Sequence, residues 1–437
     1  MNFSESLEYL FNLGNEVLAM KLGLENSQKL LEALNNPERN FLKVQVAGTN
    51  GKGSVCAFLD SICISAGIKT GLYTSPHLIS ITERIKIEGK EISQDDFARY
   101  ATKIKEISEN LVEKGELESV PTYFEQVTAI ALSAFADEKV EIAILETGLG
   151  GRFDATTATR AEIVAITPID FDHQNILGNS LTKIAAEKAA IIREDTKVIA
   201  APQRKEAERV ILERCREKGV EPIWATTDFK IKKDLIYEGE YALFATFKTQ
   251  NDNYPDVLLS LAGRHQFENA SIAIGIAETL RDFDFKISQN SIISGLETAQ
   301  HKGRLEFYKG ILFDGAHNVA GAKALRDYLD EFIKQPITMI FCSMKDKDLS
   351  EIAEILFPKA EFLIFTKPDN PRSMETADLI KYLSENINKE KVCRTENVKE
   401  ALKIAKEVSY KNTLICVTGS LYLVGEAQKL LNNKPEI

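Results

Sequence analysis

The sequence predicts an α/β protein of two units, each built on a mostly parallel sheet, with a small antiparallel flap on the first. Three observations carry that expectation. Short runs of apolar and β-branched residues alternate with longer stretches of helical spacing, the pattern of strands covered by helices on both faces. Between 226 and 262 the pattern changes to short alternating strands with turn signals at Glu238-Gly239 and Asn251–Pro255, and near 304 the original alternation restarts. At 437 residues the chain also exceeds what one ordinary core encloses.

In chain order, residues 1–40 carry helical spacing at Leu7, Leu10, Phe11, Leu30, Leu31 and Leu34, broken near Gly23 and at Pro37. A buried strand over 41–48 leads into a helix over 54–66, and a second strand covers Lys69–Thr74. Alternation over 84–92 predicts an edge hairpin, followed by helices near 94–113 and 123–137. Val140–Leu145 and Glu162–Thr167 are strands, 180–193 a helix, and Thr196–Ala200 a strand. A helix over 288–299 precedes the polar stretch Gln300–Gly303, which divides the chain into units of 1–300 and 301–437. Strands at 305–313, 337–342, 361–366, 391–394 and 413–417, each followed by a helix pattern, make the second unit Rossmann-like.

Composition excludes several classes. Apolar content of 44% and charged content of 27% indicate a soluble globular chain. A net charge of −11 argues against a general nucleic-acid binder. No segment approaches about 18 uninterrupted apolar residues, and the N-terminus lacks a basic region followed by an apolar one, so a cytoplasmic protein without membrane partners is expected. The six cysteines (56, 63, 215, 342, 393 and 416) show no C-x-x-C spacing and are expected as reduced thiols.

The most informative stretch is Val44-Gln45-Val46-Ala47-Gly48-Thr49-Asn50-Gly51-Lys52-Gly53-Ser54. A strand ends in a glycine-rich turn, a lysine follows, and a helix begins. Glycines let backbone N–H groups face phosphate oxygens, the lysine adds a point charge, and the helix N-terminus adds its dipole. The match to G-x-x-x-x-G-K-[ST] is incomplete: Val46 stands at the first glycine and Gly53 follows the lysine. A nucleoside triphosphate is the expected ligand.

In an open parallel sheet, ligands sit beyond the carboxyl ends of strands. Polar residues directly after predicted strands are therefore the candidates: Ser75-Pro76-His77, the run Glu146 to Asp154, and Asp170-Phe171-Asp172-His173. A carboxylate, a hydroxyl and a histidine from this set suit a cation beside the triphosphate, and Mg²⁺ needs few protein ligands because it keeps several waters. Lys188 sits in an apolar helix, where composition alone favours a solvated face. Phe313-Asp314-Gly315-Ala316-His317-Asn318 joins a strand to a helix and reads equally as a ligand turn or as an N-cap.

Taken together, these motifs resemble the folylpolyglutamate synthase and dihydrofolate synthase family, within the Mur-type ATP-dependent amide ligases. The resemblance rests on Val46 to Ser54, Thr74-Ser75-Pro76-His77-Leu78, Thr122-Tyr123-Phe124-Glu125, Glu146 to Thr156, Asp172-His173 and Glu187-Lys188-Ala189. Gly303-Arg304, Asp314 to Asn318, Met344 to Asp348 and Gly419 to Gly425 extend it through the second unit. It implies a Mur-ligase-like ATP-binding domain first and a Rossmann-like ligase domain second. By the same resemblance, Asn50, Gly51, Lys52, Gly53 and Ser54 hold the phosphates, and Asn269, Arg304 and Asp314 hold ATP across the cleft. Ser54, Ser75 and Glu146 serve one Mg²⁺. His173 serves a second, together with Lys188 carrying a carbamate. Lys21, Leu22, Gly23, Thr122, Tyr123, Phe124, Glu125, Phe153, Asp154 and Ala155 line the acceptor site, and His317 and Ser420 lie toward the glutamate side. Lys52, Lys188 and His317 are the catalytic candidates. The implied reaction joins L-glutamate to dihydropteroate or to a reduced folate through an acyl phosphate, by a monomer. A Mur-type ligase acting on a UDP-linked cell-wall precursor and a nucleotide-hydrolysing switch are the alternatives. The chain departs from the family pattern at Thr156-Thr157, Ala190, His301-Lys302 and Val319.

Overall fold

The computed structural model describes residues 1–14, 23–225, 228–237, 240–409 and 412–432, with backbone alone at 228–237 and 240–243. Lys21 and Leu22, expected at the acceptor site, lie outside the described residues.

The first sheet has eight strands in the order β4-β3-β2-β5-β1-β6-β7-β8. They are β1 Leu42–Ala47, β2 Thr70–Tyr73, β3 Ile85–Ile87, β4 Lys90–Glu91, β5 Ile142–Glu146, β6 Ile163–Ile166, β7 Lys197–Ala200 and β8 Pro222–Trp224. From β2 to β8 the pairs are parallel, and β3 and β4 form the expected antiparallel edge. The period of two along β1 sets its two faces. Val44 and Val46 pack with Val55, Phe58 and Leu59 of the helix Lys52–Ser65 and with the helix His265–Leu280. On the opposite face Gln45 donates to Thr156 Oγ1 (2.9 Å) and Thr157 Oγ1 (2.7 Å), anchoring the turn that follows Asp154. The helix Gln289–Thr298 crosses the helix Lys52–Ser65 so closely that a Cβ on Gly295 would stand 2.4 Å from Ile62 Cα. Helices Gln94–Glu113 and Tyr123–Asp137 cover one part of the other face, and Leu181–Ala189 and Lys205–Lys218 the rest.

The flap is a three-stranded antiparallel sheet of β9 Asp228–Tyr237, β10 Glu240–Lys248 and β11 Asn253–Leu258. The second large sheet runs β12-β13-β17-β14-β15-β16, with β12 Glu306–Tyr308, β13 Ile311–Asp314, β14 Ile337–Phe341, β15 Phe362–Phe365, β16 Val392–Arg394 and β17 Leu414–Thr418. It is mixed, because β12 pairs antiparallel with β13. The sequence reading of 305–313 as one strand is corrected here. Lys309 (φ 49°) and Gly310 (φ 74°) both take positive φ, the requirement of a tight hairpin turn, and they fold the run back on itself. After β15 the helix pattern yields only the four-residue helix Thr376–Leu379 and short 3-10 turns. All six cysteines are free, five of them buried. No helix among the described residues is long and apolar enough to cross a membrane.

Candidate active site

The carboxyl ends of β1, β2, β5 and β6 face those of β13 and β17 across one cavity of about 660 Å³. Every described residue to which the resemblance gave a role lines it, whereas the strand-end candidate His77 does not and instead accepts from Arg84 Nε at 2.8 Å.

At the end of β1, Gly48 (φ 150°) and Gly51 (φ 90°) take backbone conformations that favour glycine, and a Cβ on Gly51 would meet Asn269 Oδ1 at 2.2 Å. The helix Lys52–Ser65 starts without a side-chain cap. Its first N–H groups are therefore available to an anion, and its dipole favours one. Lys52 Nζ bonds the carbonyls of Gly48 and Thr49, at 3.2 Å each. Lys188 Nζ donates to the same Gly48 carbonyl at 2.6 Å. Lys188 is 5% exposed, so the solvated face that composition favoured is not where it lies. Burial first, and then the charge of Lys52, pushes its pKa down to about 7. At pH 7 about half of the molecules therefore carry a neutral amine next to the phosphate cradle.

Glu146 ends β5 and is buried; Ser75 N donates to its Oε2 at 3.0 Å. Burial raises its pKa, opposed by Lys52, the Ser75 amide, Arg304 and Arg84. Ser54 Oγ lies on the first turn of the helix, within 3.3 Å of Gln266 Nε2 and of His301 Nδ1. A buried carboxylate with spare acceptor capacity and a hydroxyl, at the edge of a phosphate loop, suit Mg²⁺, which takes oxygen ligands and keeps waters and phosphate oxygens. His173 stands in left-handed conformation (φ 50°) at the start of a short helix, its pKa lowered to about 4 by burial and by Lys347, His317 and Lys52. A protonated Lys188 is no ligand for a second cation beside it; a carbamate there would be.

On the acceptor side, Gly23, Thr122 to Glu125 and Phe153 to Ala155 share the cavity wall. Two of the expected carboxylates are already engaged locally. Glu125 closes a capping box with Thr122, accepting from its amide and hydroxyl at 2.8 Å each, and accepts from Ser27 Oγ at 3.0 Å. Asp154 accepts from the amides of Gly148 (2.8 Å), Leu149 (3.1 Å) and Thr156 (3.0 Å). Both shape the wall, while Tyr123, Phe124 and Phe153 offer it aromatic surface.

The second unit closes the cavity through Asp172, a strand-end candidate whose partners the sequence did not indicate. Asp172 ion-pairs with Lys347, accepts from Asn318 Nδ2 at 3.2 Å, and lies 3.6 Å from His317 Nε2. Burial opposes its ionisation, but the hydrogen bond and charge of His317 and the charge of Lys347 hold the carboxyl well below the usual range. Asn318 Nδ2 also donates to Asn50 Oδ1 at 3.0 Å, tying the second unit to the phosphate loop. Asn318 caps the helix Val319–Phe332 as well, accepting from Gly321 N, so the N-cap reading of that turn holds. His317 Nδ1 is fixed on Gly315 O at 2.8 Å. Asp314 accepts from Leu305 N (3.0 Å) and Ala316 N (2.9 Å), and Ser420 Oγ accepts from Tyr422 N (3.1 Å). Gln266, His265, His301 and Arg372 also line the cavity without having been given a role there; residue type alone did not mark them.

Residues 46–277 match the Mur ligase middle domain family, and residues 300–430 match the family described as dihydrofolate synthetase, C-terminal domain. A Bacillus subtilis protein named dihydrofolate synthase/folylpolyglutamate synthase is 35% identical over 428 residues, covering 96% of this chain and 97% of its own. This chain belongs to the dihydrofolate synthase/folylpolyglutamate synthase family. Folylpolyglutamate synthase from Mycobacterium tuberculosis, solved with ADP and AMPPCP, superimposes with a TM-score of 0.88 at 29% identity over 100% of both chains. Escherichia coli FolC, solved with DHPP and ADP, gives 0.85 at 26% identity over 99% of this chain and 98% of its own. As a member of this family the chain is an ADP-forming ligase that binds ATP.

Proposed function

We propose that this ligase joins L-glutamate to the carboxylate of dihydropteroate, of a folyl-(poly)glutamate, or of both, with ATP activating that carboxylate as an acyl phosphate. The single observation that carries the reading is convergence: Lys52, Glu146, His173 and Lys188, from four separate segments, line one cavity with the aromatic wall of Tyr123, Phe124 and Phe153.

A carboxylate does not condense with an amine in water, because an oxide is a poor leaving group. Lys52 and the helix N-terminus hold the triphosphate and neutralise the charge that grows as its terminal phosphoryl group is transferred. The aromatic wall orients the pterin end and brings the carboxylate toward that phosphoryl group. His317 and Ser420 line the same cavity and would meet the incoming glutamate. Asn269, Arg304 and Asp314 hold the nucleotide across the cleft, and the second unit, divided from the first near 300, excludes water from the acyl phosphate. Ser54, Ser75 and Glu146 would hold one Mg²⁺, and His173 with a carbamylated Lys188 a second. Mg²⁺ supplies positive charge between two anions that otherwise repel. We further propose that the protein acts in the cytoplasm as a monomer.

The test is ATP turnover with each substrate omitted in turn. Strict dependence on both glutamate and a pterin carboxylate is the expected result. Equal ATP hydrolysis without them would reject the ligase and favour a nucleotide switch.

A further inference from the structure

The hydroxyl of Ser54 sits in a buried chain of polar groups whose hydrogen-bond directions can be assigned one after another. Asn269 Nδ2 donates to Gln266 Oε1 at 2.9 Å, which fixes the orientation of the Gln266 amide. Gln266 Nε2 then directs its hydrogens outward, toward His265 Nε2 at 3.2 Å and Ser54 Oγ at 3.3 Å. Ser54 Oγ is thereby an acceptor from Gln266, and its own single hydrogen needs an acceptor elsewhere. His301 Nδ1, at 3.3 Å, is placed to take it. With the ring proton on Nε2, Nδ1 carries the lone pair that accepts it. The ring is held tightly against the start of the phosphate helix: a Cβ on Gly53 would lie 2.6 Å from His301 Cε1.

We propose that His301, on the segment joining the two units, is a positioning residue that draws the Ser54 hydroxyl hydrogen away from the cavity, so that a lone pair of Ser54 Oγ faces the metal–nucleotide complex. Without that acceptor the hydrogen is free to point into the cavity, where it opposes a cation. The effect runs through Ser54 rather than through a bond from His301 to the cation. An orientation imposed in advance also saves the cost of turning the hydroxyl when the cation arrives. The inference rests on Ser54 being a Mg²⁺ ligand, as proposed above.

The experiment is calorimetric titration of ADP into the full-length protein at a series of Mg²⁺ concentrations and in EDTA. It compares wild type with His301→Leu, His301→Asn, Ser54→Ala and the Ser54→Ala/His301→Leu double variant, each checked for an unchanged melting transition. His301→Leu is expected to raise the Mg²⁺ concentration giving half-maximal enhancement of ADP binding about tenfold, the equivalent of one well-placed hydrogen bond, and to leave binding in EDTA unchanged. His301→Asn, whose amide oxygen replaces the Nδ1 acceptor, should recover most of that loss. The double variant should bind no more weakly than Ser54→Ala alone. If wild type shows Mg²⁺-dependent binding and Ser54→Ala loses it while His301→Leu matches wild type, the positioning role is wrong and the metal site stands. If ADP binding to wild type is the same with and without Mg²⁺, the metal site itself fails. A His301→Leu defect that is as large in EDTA as in Mg²⁺ would make the residue a packing element and overturn the proposal as well.

Discussion

Glu146 and Asp314 occupy matching places in the two sheets and behave differently. Each ends a parallel strand at its carboxyl edge, each is buried, and each lies near Arg304. Asp314 has both carboxylate oxygens engaged by backbone amides, from Leu305 and Ala316. Glu146 accepts from the amide of Ser75 through one oxygen, with the other turned toward Gly53 and the cavity. The first sheet thus carries a carboxylate with a free oxygen beside Lys52, and the second a carboxylate already tied to its own backbone. Burying a charge without full compensation is expensive, so its persistence marks where a ligand completes the site. The satisfied carboxylate holds shape, and the unsatisfied one is open to a ligand.

Breaking the charged side should have the largest effect. Lys52→Ala is expected to lower glutamate-dependent ATP turnover by about a thousandfold or more in steady-state assays, because a charge aimed at the transferring phosphoryl group is lost. Glu146→Gln should cost about a hundredfold in kcat with an unchanged melting temperature. Asp314→Asn should reverse that split. Its amide N–H₂ would face a backbone N–H, costing about 1–3 kcal/mol in a melting experiment, with a smaller loss of turnover. A stable, inactive Asp314→Asn beside an unstable Glu146→Gln would erase the distinction.

Lys188 sharpens the comparison through pH. Its folded pKa of about 7 lies below the 10.5 of a free lysine, so between these values the unfolded chain binds one proton more than the folded one. Stability in this group therefore rises with pH from about 7 upward, and below 7 the folded state carries the full penalty of a buried ammonium. In bicarbonate-free buffer, Lys188→Met should melt a few degrees above wild type at pH 6, with the gain shrinking by pH 9. In activity assays the same neutral amine should make turnover respond to added bicarbonate, more strongly above pH 7 than below it. A gain in melting temperature independent of pH would remove the depressed pKa from the explanation. The smallest effect is expected at the contact between the two units. Asn318→Ala, which loses bonds to Asn50 and Asp172, should raise the KM for ATP about threefold to tenfold, with kcat nearly unchanged.

Much of the fold was legible because periodicity and glycine placement are local signals. The strand Leu42–Ala47, the turn at Gly48–Gly51 and the helix from Lys52 are set by neighbouring residues, and the helices Gln94–Glu113 and Tyr123–Asp137 fall where their spacing placed them. The hairpin at Lys309-Gly310 was missed because a lysine at positive φ has no sequence signature, although the glycine beside it was a hint. At the site, polar residues after strands were readable, and the partners they meet far along the chain were not. Asp172 acts through Lys347, His317 and Asn318, which lie more than a hundred residues away along the chain, and His301 meets Ser54 across 247 positions. Lys188 was misjudged by composition because a single buried lysine in an alanine-rich helix looks like one on the surface until the packing of that helix is known.

The central claim is that the acceptor carboxylate is phosphorylated before nitrogen attacks, and one oxygen reports on it. With the carboxylate of dihydropteroate, or of the folyl glutamate, labelled with heavy oxygen, one labelled oxygen is expected in the inorganic phosphate released for each amide bond formed, read by mass spectrometry. Amide product formed alongside unlabelled phosphate would contradict an acyl phosphate in this cavity.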